Sequence, residues 1–301
     1  MSDRRGRAAA PSPAALHERV LDWYAANARP LPWRDASCSP WGVLVSEVMS
    51  HQTPVARVEP VWREWMRRWP TPAHLAAEPP GEVVRAWGRL GYPRRALRLR
   101  EAAVVIVESH GGTVPDDEEE LRALPGVGAY TAAAVAAFAF GRRTTVVDTN
   151  VRRVLVRSVE GRAHAAPALT AAESALATSV LPGDPATSAT WNVAVMELGA
   201  LVCQARAPRC DDCPVLDLCA WVAAGRPAHE GPPRRGQAWH GTDRQVRGAV
   251  LQLLRDSPGP MGRSELEAAG PDPVQVERCL ASLVEDGLLE PHGRGSYRLP
   301  R

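Results

Sequence analysis

The chain has 301 residues, 45% of them hydrophobic and 23% charged, and its formal net charge at pH 7 is +2. This composition is ordinary for a soluble globular protein and excludes a mainly disordered chain. No run of 18 apolar residues occurs, so we expect no membrane span. The charged N-terminal residues have no apolar stretch behind them, and we therefore expect a cytoplasmic protein without a secretion signal.

Apolar residues recur at helical spacing through most of the chain. Examples are the faces formed by Leu16, Val20, Trp23 and Tyr24 and by Trp62, Trp65, Met66 and Trp69. Candidate strands before residue 285 are few. The sequence therefore predicts a mainly α fold.

All 36 basic residues are arginine, because the sequence contains no lysine. Residues 85–100 carry six of these arginines and no acidic residue. A local excess of positive charge attracts phosphate groups even where the net charge is small. The segment 85–100 is therefore predicted to form a basic patch that neutralises phosphates.

A turn with two glycines, Leu124-Pro125-Gly126-Val127-Gly128, lies between two predicted helices, residues 118–123 and residues 130–140. Gly126 and Gly128 allow a tight turn that presents backbone N–H groups, with the next helix N-terminus, to an anion. This helix-hairpin-helix pattern predicts that the turn binds a DNA phosphate without reading the base sequence. A plain connector between two helices is the alternative for the turn taken alone.

Four of the six cysteines, Cys203, Cys210, Cys213 and Cys219, lie close together. Without a secretion signal, clustered cysteines predict metal ligands rather than disulfides. Thiolates favour iron–sulfur clusters or zinc, and structural zinc sites usually have two closely spaced cysteine pairs where this chain has one. The spacing therefore favours a [4Fe–4S] cluster over zinc.

A stretch rich in proline, glycine and charge, residues 226–238, is predicted to be a linker. Beyond it, two amphipathic helices and a short hairpin with its turn at residues 292–295 resemble a small winged helix-turn-helix unit over residues 239–301. We therefore expect a disordered N-terminus over residues 1–14, a main domain over residues 15–225, this linker and the C-terminal unit.

Three features together resemble the endonuclease III superfamily of DNA glycosylases. They are the helix-hairpin-helix turn at residues 124–128, the segment Val147-Asp148-Thr149-Asn150 and the four-cysteine loop. Five further motifs are similar to adenine DNA glycosylases of the MutY type. They are Leu31-Pro32-Trp33-Arg34, Ser46-Glu47-Val48-Met49, Gln52-Thr53, Leu90-Gly91-Tyr92 and Met196-Glu197-Leu198-Gly199. The resemblance covers residues 15–222 and implies an all-helical fold of two lobes, with DNA bound across the cleft between a six-helix barrel and a cluster lobe.

Breaking a purine N-glycosidic bond develops positive charge on the sugar and negative charge on the departing base. By resemblance, Asp148 is the carboxylate that stabilises the sugar, and Asn150 lies near it; an aspartate at 148 also suits an N-cap of the helix that follows. Glu47 matches the acid that protonates adenine at N7, and its apolar neighbours are expected to raise its pKa. A solvated helix face is the alternative for Glu47.

Other site residues take their roles from the resemblance alone. Extrusion of the target nucleotide from the duplex requires groups that fill or pry the base stack. Gln52 and Tyr92 match these wedges, and Thr53 is expected near the opposite base. Arg34 and Glu197 match residues that hold the extruded adenine. A core position for Tyr92 and a helix-surface position for Glu197 are the alternatives.

The missing lysine distinguishes two branches of the superfamily. Members with lyase activity use a lysine in the helix after the hairpin to form a Schiff base with the sugar. Here Tyr130 occupies that position, and the sequence has no lysine elsewhere that could replace it. The expected enzyme is therefore a monofunctional hydrolase that removes the base and leaves an abasic site.

Three departures from the family pattern affect the expected specificity. Ser50 and His51 replace the usual leucine and glutamine, and Pro93 replaces a common second tyrosine. The family's usual C-terminal Nudix-like domain, which helps to recognise 8-oxoguanine, is not expected in this chain. A preference for 8-oxoguanine over guanine therefore rests on analogy.

The sequence as a whole predicts a monomeric enzyme that excises adenine mispaired with 8-oxoguanine or guanine in double-stranded DNA. One alternative is a glycosylase with the same fold and another base, such as thymine in a G·T mismatch. The other is a non-catalytic iron–sulfur DNA-binding regulator. Protonation at N7 has no pyrimidine counterpart, and a regulator gives no reason for the pair Glu47 and Asp148.

Overall fold

The structure is a computed structural model that describes residues 11–229 and 239–301. This part of the chain is mainly helical, as predicted. The helices are α1 (Pro13–Asn27), α2 (Pro40–Ser50), α3 (Val55–Arg68), α4 (Pro72–Ala77), α5 (Pro80–Trp87), α6 (Arg94–Ser109), α7 (Glu118–Ala123), α8 (Ala129–Phe140), α9 (Thr149–Ser158), α10 (Ala171–Ser179), α11 (Pro185–Leu201), α12 (Ala220–Ala223), α13 (Asp243–Asp256), α14 (Arg263–Leu266) and α15 (Pro273–Glu285). Three short strands are β1 (Met261–Gly262), β2 (Glu290–His292) and β3 (Ser296–Arg298). Among these helices none is both long and apolar enough to cross a membrane.

Most of the predicted disordered N-terminus and of the predicted linker lies outside the described residues. Within the described part, α1 begins at Pro13, where the side chain of Ser12 accepts a hydrogen bond from the backbone N–H of Ala15. Residues 13 and 14 of the segment predicted as disordered are therefore helical.

The chain divides into two compact units, and the first takes in the described residues of Met1–Ser37, Asp116–Arg122 and Gly128–Pro233. Its core is formed by apolar faces of α1, α9, α10 and α11, with Val20, Leu155 and Leu198 buried among them. The side chain of Asp148 caps α9 and that of Asp184 caps α11, each accepting a backbone N–H that would otherwise be unpaired. These caps fix where the two helices that carry Asn150 and Glu197 begin.

The second unit takes in Cys38–Pro115, Ala123–Val127 and the described part of Arg234–Arg301. Helix α2 is buried from Trp41 to Met49, so it runs through the interior of this unit. Around it, Trp65 makes edge contacts with Trp69 and Trp87 at centroid distances of 4.8 and 5.5 Å. Edge-to-face packing of such large rings stabilises a core beyond the area that it buries.

The C-terminal residues of the second unit form a winged helix-turn-helix arrangement, as the sequence predicts. Helices α13 and α15 pack through Val250, Leu254, Leu280 and Leu283. The three strands form an antiparallel sheet of order β1-β3-β2, in which β2 and β3 are the predicted hairpin. Cys279 is buried in this core.

This winged part packs directly on α5 within the second unit. Val84 of α5 belongs to the same apolar core as the winged helices. The backbone N–H of Gly81 donates to the carbonyl of Pro300 at 2.7 Å, and a Cβ at Gly81 would lie 2.4 Å from that oxygen. Arg85 donates to the backbone carbonyls of Leu254 and Ser257 at 3.4 and 3.3 Å.

The prediction of a phosphate-binding patch over residues 85–100 is wrong for three of the six arginines. Arg85 binds the winged part, and Arg100 donates to the carbonyls of Glu78 and Ala76 at 2.6 and 3.0 Å. Arg95 donates to the carbonyls of Val48 and Gly91 at 2.7 and 3.0 Å. A buried carbonyl needs a donor, so these guanidinium groups hold the fold together instead of facing phosphates.

Candidate active site

Asp148 is the N-cap of α9, as the sequence predicts. Its Oδ1 accepts the backbone N–H of Val151 at 2.6 Å, and its Oδ2 accepts the side-chain amide of Asn150 at 2.7 Å. Burial raises the pKa of this carboxyl above its ordinary value, and the hydrogen bonds from Val151 and Asn150 act in the opposite direction. The helix cap therefore fixes the orientation of a desolvated carboxylate.

Arg153 connects this cap to the cysteine loop of the same unit. Its guanidinium donates to Oδ1 of Asn150 at 2.7 Å, to the carbonyl of Gly199 at 2.7 Å and to the carbonyl of Cys203 at 2.6 Å. Gly199 allows this arrangement, because a Cβ there would lie 2.6 Å from the Cβ of Asn150. The glycine of the Met196–Gly199 motif is thus needed for α9 and α11 to approach.

Glu197 is 1% exposed and forms a buried ion pair with both Arg29 and Arg34. Its Oε1 accepts the backbone N–H and the Nε of Arg29 at 3.1 and 2.6 Å, and its Oε2 accepts an Nη2 from each arginine at 2.6 and 2.9 Å. Although burial acts to raise the pKa of Glu197, these donors and charges lower it to about 2. The alternative of a helix-surface acid is therefore wrong for Glu197.

Glu47 lies in the second unit, on the buried helix α2, and is 8% exposed. The helix begins at Pro40 with the side chain of Ser39 accepting the N–H of Gly42, and its residues from Trp41 to Met49 are all buried. The fold of α2 therefore keeps the carboxyl of Glu47 largely away from solvent. The alternative of a solvated helix face is wrong for Glu47.

Gln52 and Tyr92 are both held in the left-handed backbone region, with φ of 53° and 48°. Only Arg226 shares this feature among the non-glycine residues of the described chain. Tyr92 is 44% exposed, so the alternative of a core aromatic is wrong. Strained backbone at exposed residues persists only where the surroundings enforce it, and it clusters at functional sites.

Thr53 and Arg95 hold the turns that carry these two residues. Thr53 is buried, and its hydroxyl donates to the carbonyl of Leu90 at 3.1 Å while Arg95 donates to the same hydroxyl at 3.2 Å. The guanidinium of Arg95 also lies 5.7 Å from the centroid of the Tyr92 ring. The turn after α2 and the turn before α6 are therefore cross-linked by one threonine and one arginine.

The hairpin has the backbone that the glycine pattern predicts. Gly126 has φ of 78°, and a Cβ there would lie 2.7 Å from the Cβ of Arg98, so geometry and space both require glycine. Gly128 is the N-cap of α8 in an extended conformation, without a side chain to cover the N–H groups of the first turn. Tyr130 lies in that first turn and is half-buried.

Next to the hairpin lies a cavity of about 250 Å³. Its walls include His51, Arg94, Arg95, Arg98 and the hairpin residues 125–127. Burial and the neighbouring charge of Arg95 lower the pKa of His51, so this histidine is neutral near pH 7. The positive character of the cavity therefore comes from its arginines.

The four clustered cysteines are all free thiols in the first unit. Burial raises the pKa of Cys213 to about 12 and raises that of Cys219, and the neighbouring cysteines raise both further. Cysteine binds metals as the thiolate, and a strongly cationic centre favours that form. Four cysteine sulfurs are the donor set of an iron–sulfur cluster, although no group of three or more His, Cys, Asp or Glu side chains in the described chain is positioned to hold a metal ion.

Sequence reasoning missed three residues of these networks: Arg29, Arg153 and Arg157. Arg157 is 3% exposed and donates to the sulfur of Cys203 at 3.4 Å and to the carbonyl of Gln204 at 2.7 Å. Every strongly basic side chain in this chain is an arginine, so the residue type alone does not distinguish these three from the others. Arg153 and Arg157 are four residues apart in the helix that Asp148 caps. This spacing places them on one face of the helix, and it is the signal that could have indicated a shared role.

The structure brings the candidate residues together in separate groups. In the first unit, Asp148 pairs with Asn150, and Arg34 pairs with Glu197. In the second unit, Thr53 and Arg95 join the turns of Gln52 and Tyr92. Glu47 and Asp148 belong to different units.

Comparison with known proteins gives consistent results. The model of a family described as HhH-GPD superfamily base excision DNA repair protein matches residues 45–174. The chain is 52% identical to an adenine DNA glycosylase from Mycobacterium tuberculosis over 282 residues, which are 93% of this chain and 92% of that protein.

Solved structures show the same fold. A thermostable thymine-DNA glycosylase aligns with a TM-score of 0.63 and 27% identity, over 70% of this chain and 97% of the other. A non-covalent complex of endonuclease III with DNA aligns with a TM-score of 0.60 and 25% identity, over 70% of this chain and 95% of the other. The predicted helix-hairpin-helix glycosylase fold is therefore confirmed.

Proposed function

Because the chain belongs to the adenine DNA glycosylases of the HhH-GPD superfamily, we propose that it hydrolyses the N-glycosidic bond of adenine mispaired with 8-oxoguanine or guanine. It is a base-excision repair DNA glycosylase, and the identity of the mispair is the proposed part. Two carboxyl groups in different surroundings carry the proposal. Asp148 is oriented by two hydrogen bonds at a helix start, and Glu47 is buried on an apolar helix.

At the sugar, the ionised form of Asp148 stabilises the oxocarbenium-like transition state. Its two hydrogen bonds hold the carboxylate in one orientation, and Asn150 is in turn held by Arg153. A carboxylate fixed before the reaction stabilises developing charge without reorganisation. Burial strengthens that interaction because the local dielectric constant is low.

At the base, the protonated form of Glu47 donates to N7 of adenine and neutralises the charge of the leaving group. Glu47 is 8% exposed on α2, and the proposal requires its carboxyl to hold a proton when the substrate is bound. Acid catalysis by a positioned side chain contributes roughly 10²–10⁴ in rate. A pyrimidine has no N7, so this role favours adenine over thymine as the excised base.

Glu197 acts through its arginines in this proposal. A carboxylate offers about four acceptor positions, and Arg29 and Arg34 already supply four donors to it. We therefore assign recognition of the extruded adenine to Arg34, with Glu197 fixing the position of that guanidinium. This differs from the direct contact that the resemblance implies for Glu197.

The reaction ends at the abasic site, because the chain has no lysine that could form a Schiff base. Tyr130 occupies the position after the hairpin where lyases carry that lysine. The hairpin, with Gly126 and Gly128, is assigned to a DNA phosphate. Gln52 and Tyr92 are assigned to the opened base stack, with Thr53 supporting both turns.

Cys203, Cys210, Cys213 and Cys219 are proposed to hold a [4Fe–4S] cluster. When bound, the cluster supplies a rigid cross-link of residues 203–219. Arg153 and Arg157 donate to the carbonyls of Cys203 and Gln204, so a rigid loop also fixes both arginines, and Arg153 in turn supports Asn150.

The fold similarity to a thymine-DNA glycosylase makes excision of thymine from a G·T mismatch the second candidate. Single-turnover base release is measured on otherwise identical duplexes with A·8-oxoguanine, A·G or T·G. The proposal predicts release of adenine from the first two and none from T·G, with no borohydride-trapped adduct. Release of thymine alone would establish the second candidate.

A further inference from the structure

The second unit exposes two aromatic side chains on one small surface. Among the large hydrophobic side chains of the described chain, only four are exposed. Two of these are aromatic, Tyr92 at 44% and Trp239 at 47% exposure. The guanidinium of Arg244 contacts both rings, at 5.0 Å from the centroid of Tyr92 and 5.4 Å from that of Trp239.

The winged part fixes the position of Arg244 and Trp239. Arg244 is the second residue of α13, and the side chain of Thr242 caps that helix by accepting the N–H of Gln245. The hydroxyl of Thr242 also donates to the carbonyl of Trp239 at 2.8 Å. One threonine thus orders both the arginine and the tryptophan.

Tyr92 is also held by an arginine of α6. Its backbone has φ of 48°, and the guanidinium of Arg95 lies 5.7 Å from its ring centroid. The ring therefore contacts two arginines, one from α6 and one from the winged part. Cation–π contacts of this kind stabilise the orientation of an exposed ring.

The series Tyr92, Arg244 and Trp239 has the chemistry of a nucleobase-stacking surface. Nucleobases stack on exposed aromatic rings and on arginine planes, and the guanidinium charge attracts the phosphate backbone. Exposed apolar side chains that are grouped together mark binding sites more often than single ones do. The α13 side of the winged part lies at this surface.

We propose that Tyr92, Arg244 and Trp239 together stack against an unpaired or distorted nucleobase of the bound duplex, so that the winged part contributes directly to recognition of the mispair. Arg244 is a positioning residue for the Tyr92 ring, and Trp239 supplies a second aromatic face. This inference rests on the proposed function, because it requires that Tyr92 contact DNA.

The test uses the full chain carrying Asp148→Asn, so that the duplex is bound but not processed. The duplex contains A·8-oxoguanine with 2-aminopurine beside the 8-oxoguanine, which reports local stacking by its fluorescence. The variants are Arg244→Ala, Arg244→Lys, Trp239→Ala and Trp239→Phe. Arg263→Ala is the matched control, because Arg263 is an exposed arginine of the winged part that pairs with Glu277.

We expect Arg244→Ala and Trp239→Ala each to weaken binding of the mispaired duplex by about tenfold. They should also reduce the change in 2-aminopurine fluorescence on binding. Trp239→Phe should retain most of both signals, and Arg244→Lys should lose the fluorescence change more than the affinity, because an ammonium keeps the charge without the plane.

Three results would overturn the inference. One is that Arg244→Ala and Trp239→Ala bind the duplex with the affinity of the parent and give the same change in 2-aminopurine fluorescence. Another is an equal loss in Arg263→Ala, which would indicate a general effect of charge. The third is an affinity loss accompanied by a lower melting temperature and no fluorescence difference, which would indicate a structural role. Failure of the proposed function would instead appear as absence of adenine release by the chain with Asp148 intact.

Discussion

The side-chain amide of Asn150 donates a hydrogen bond of 2.7 Å to Oδ2 of Asp148, while Arg153 donates to the other end of that amide at 2.7 Å. The amide thus has its nitrogen toward the carboxylate and its oxygen toward the guanidinium. Because Arg153 also binds the carbonyl of Cys203, the orientation of Asp148 is coupled to the cysteine loop.

Asn150→Ala is expected to slow single-turnover adenine release by about tenfold or more. A hydrogen bond to a charged group contributes about 1.5–3 kcal/mol, and each 1.4 kcal/mol is a factor of ten. The lost hydrogen bond normally lowers the pKa of Asp148, so that pKa should rise further. Catalysis needs ionised Asp148. As the pH is lowered, the rate of the variant should therefore begin to fall at a higher pH than the rate of the parent. An unshifted profile would contradict this, and Asn27→Ala, an exposed helix-end change, is the control.

Gly199→Ala is expected to destabilise the fold by about 1–3 kcal/mol, because the new methyl group would lie 2.6 Å from the Cβ of Asn150. Gly248→Ala is the matched control within a helix, since a Cβ there meets nothing within 4 Å. The control should be neutral or stabilising by up to about 1 kcal/mol. Urea unfolding of both variants measures the difference, and equal stabilities would contradict the close approach of α9 and α11.

Glu197→Gln is expected to lower the free energy of unfolding by about 3 kcal/mol at pH 7, because it leaves Arg29 and Arg34 without their buried partner. The folded pKa of Glu197, about 2, lies below its ordinary value. The ion pairs therefore contribute fully above about pH 4.5, and the contribution is lost as the pH falls toward 2. The free energies of unfolding of parent and variant, measured between pH 3 and 7, should differ by less as the pH is lowered. The control Glu64→Gln removes an exposed pair and should change the free energy of unfolding little at any pH.

Arg157→Ala is expected to lower both the melting temperature and the iron content of the purified protein. The side chain donates to the carbonyls of Ala163, Gln204 and Ala205 at 2.9, 2.7 and 3.2 Å. The substitution removes these three hydrogen bonds, each worth about 0.5–1.5 kcal/mol net, together with the packing of a side chain that is 3% exposed. Arg209→Ala, at an exposed pair with Asp212, should change neither quantity. Full iron loading in Arg157→Ala would contradict a role in ordering the loop.

Local features of the fold could be predicted from the sequence where one residue type decides the backbone. Asp148 as a helix cap and Gly126 in a left-handed turn follow from short-range chemistry, and the structure confirms both. The hairpin of the winged part follows from a glycine-rich turn between apolar residues, and it is likewise present.

Long-range pairing could not be predicted in the same way. Nothing near Arg29 indicates that it binds Glu197, which lies 168 residues away in the sequence. Arg85, Arg95 and Arg100 look like exposed cations in the sequence, but their partners are carbonyls brought close only by folding. The contact of Arg244 with Tyr92 depends in the same way on packing of the winged part.

The most direct test of the account is single-turnover adenine release from an A·8-oxoguanine duplex by the parent, Glu47→Gln and Asp148→Asn at pH 7, with equilibrium binding measured in parallel. Both variants should bind the duplex nearly as well as the parent and release adenine at least about 10²-fold more slowly. Release at the parent rate by either variant would contradict the assignment of one carboxyl to the base and the other to the sugar.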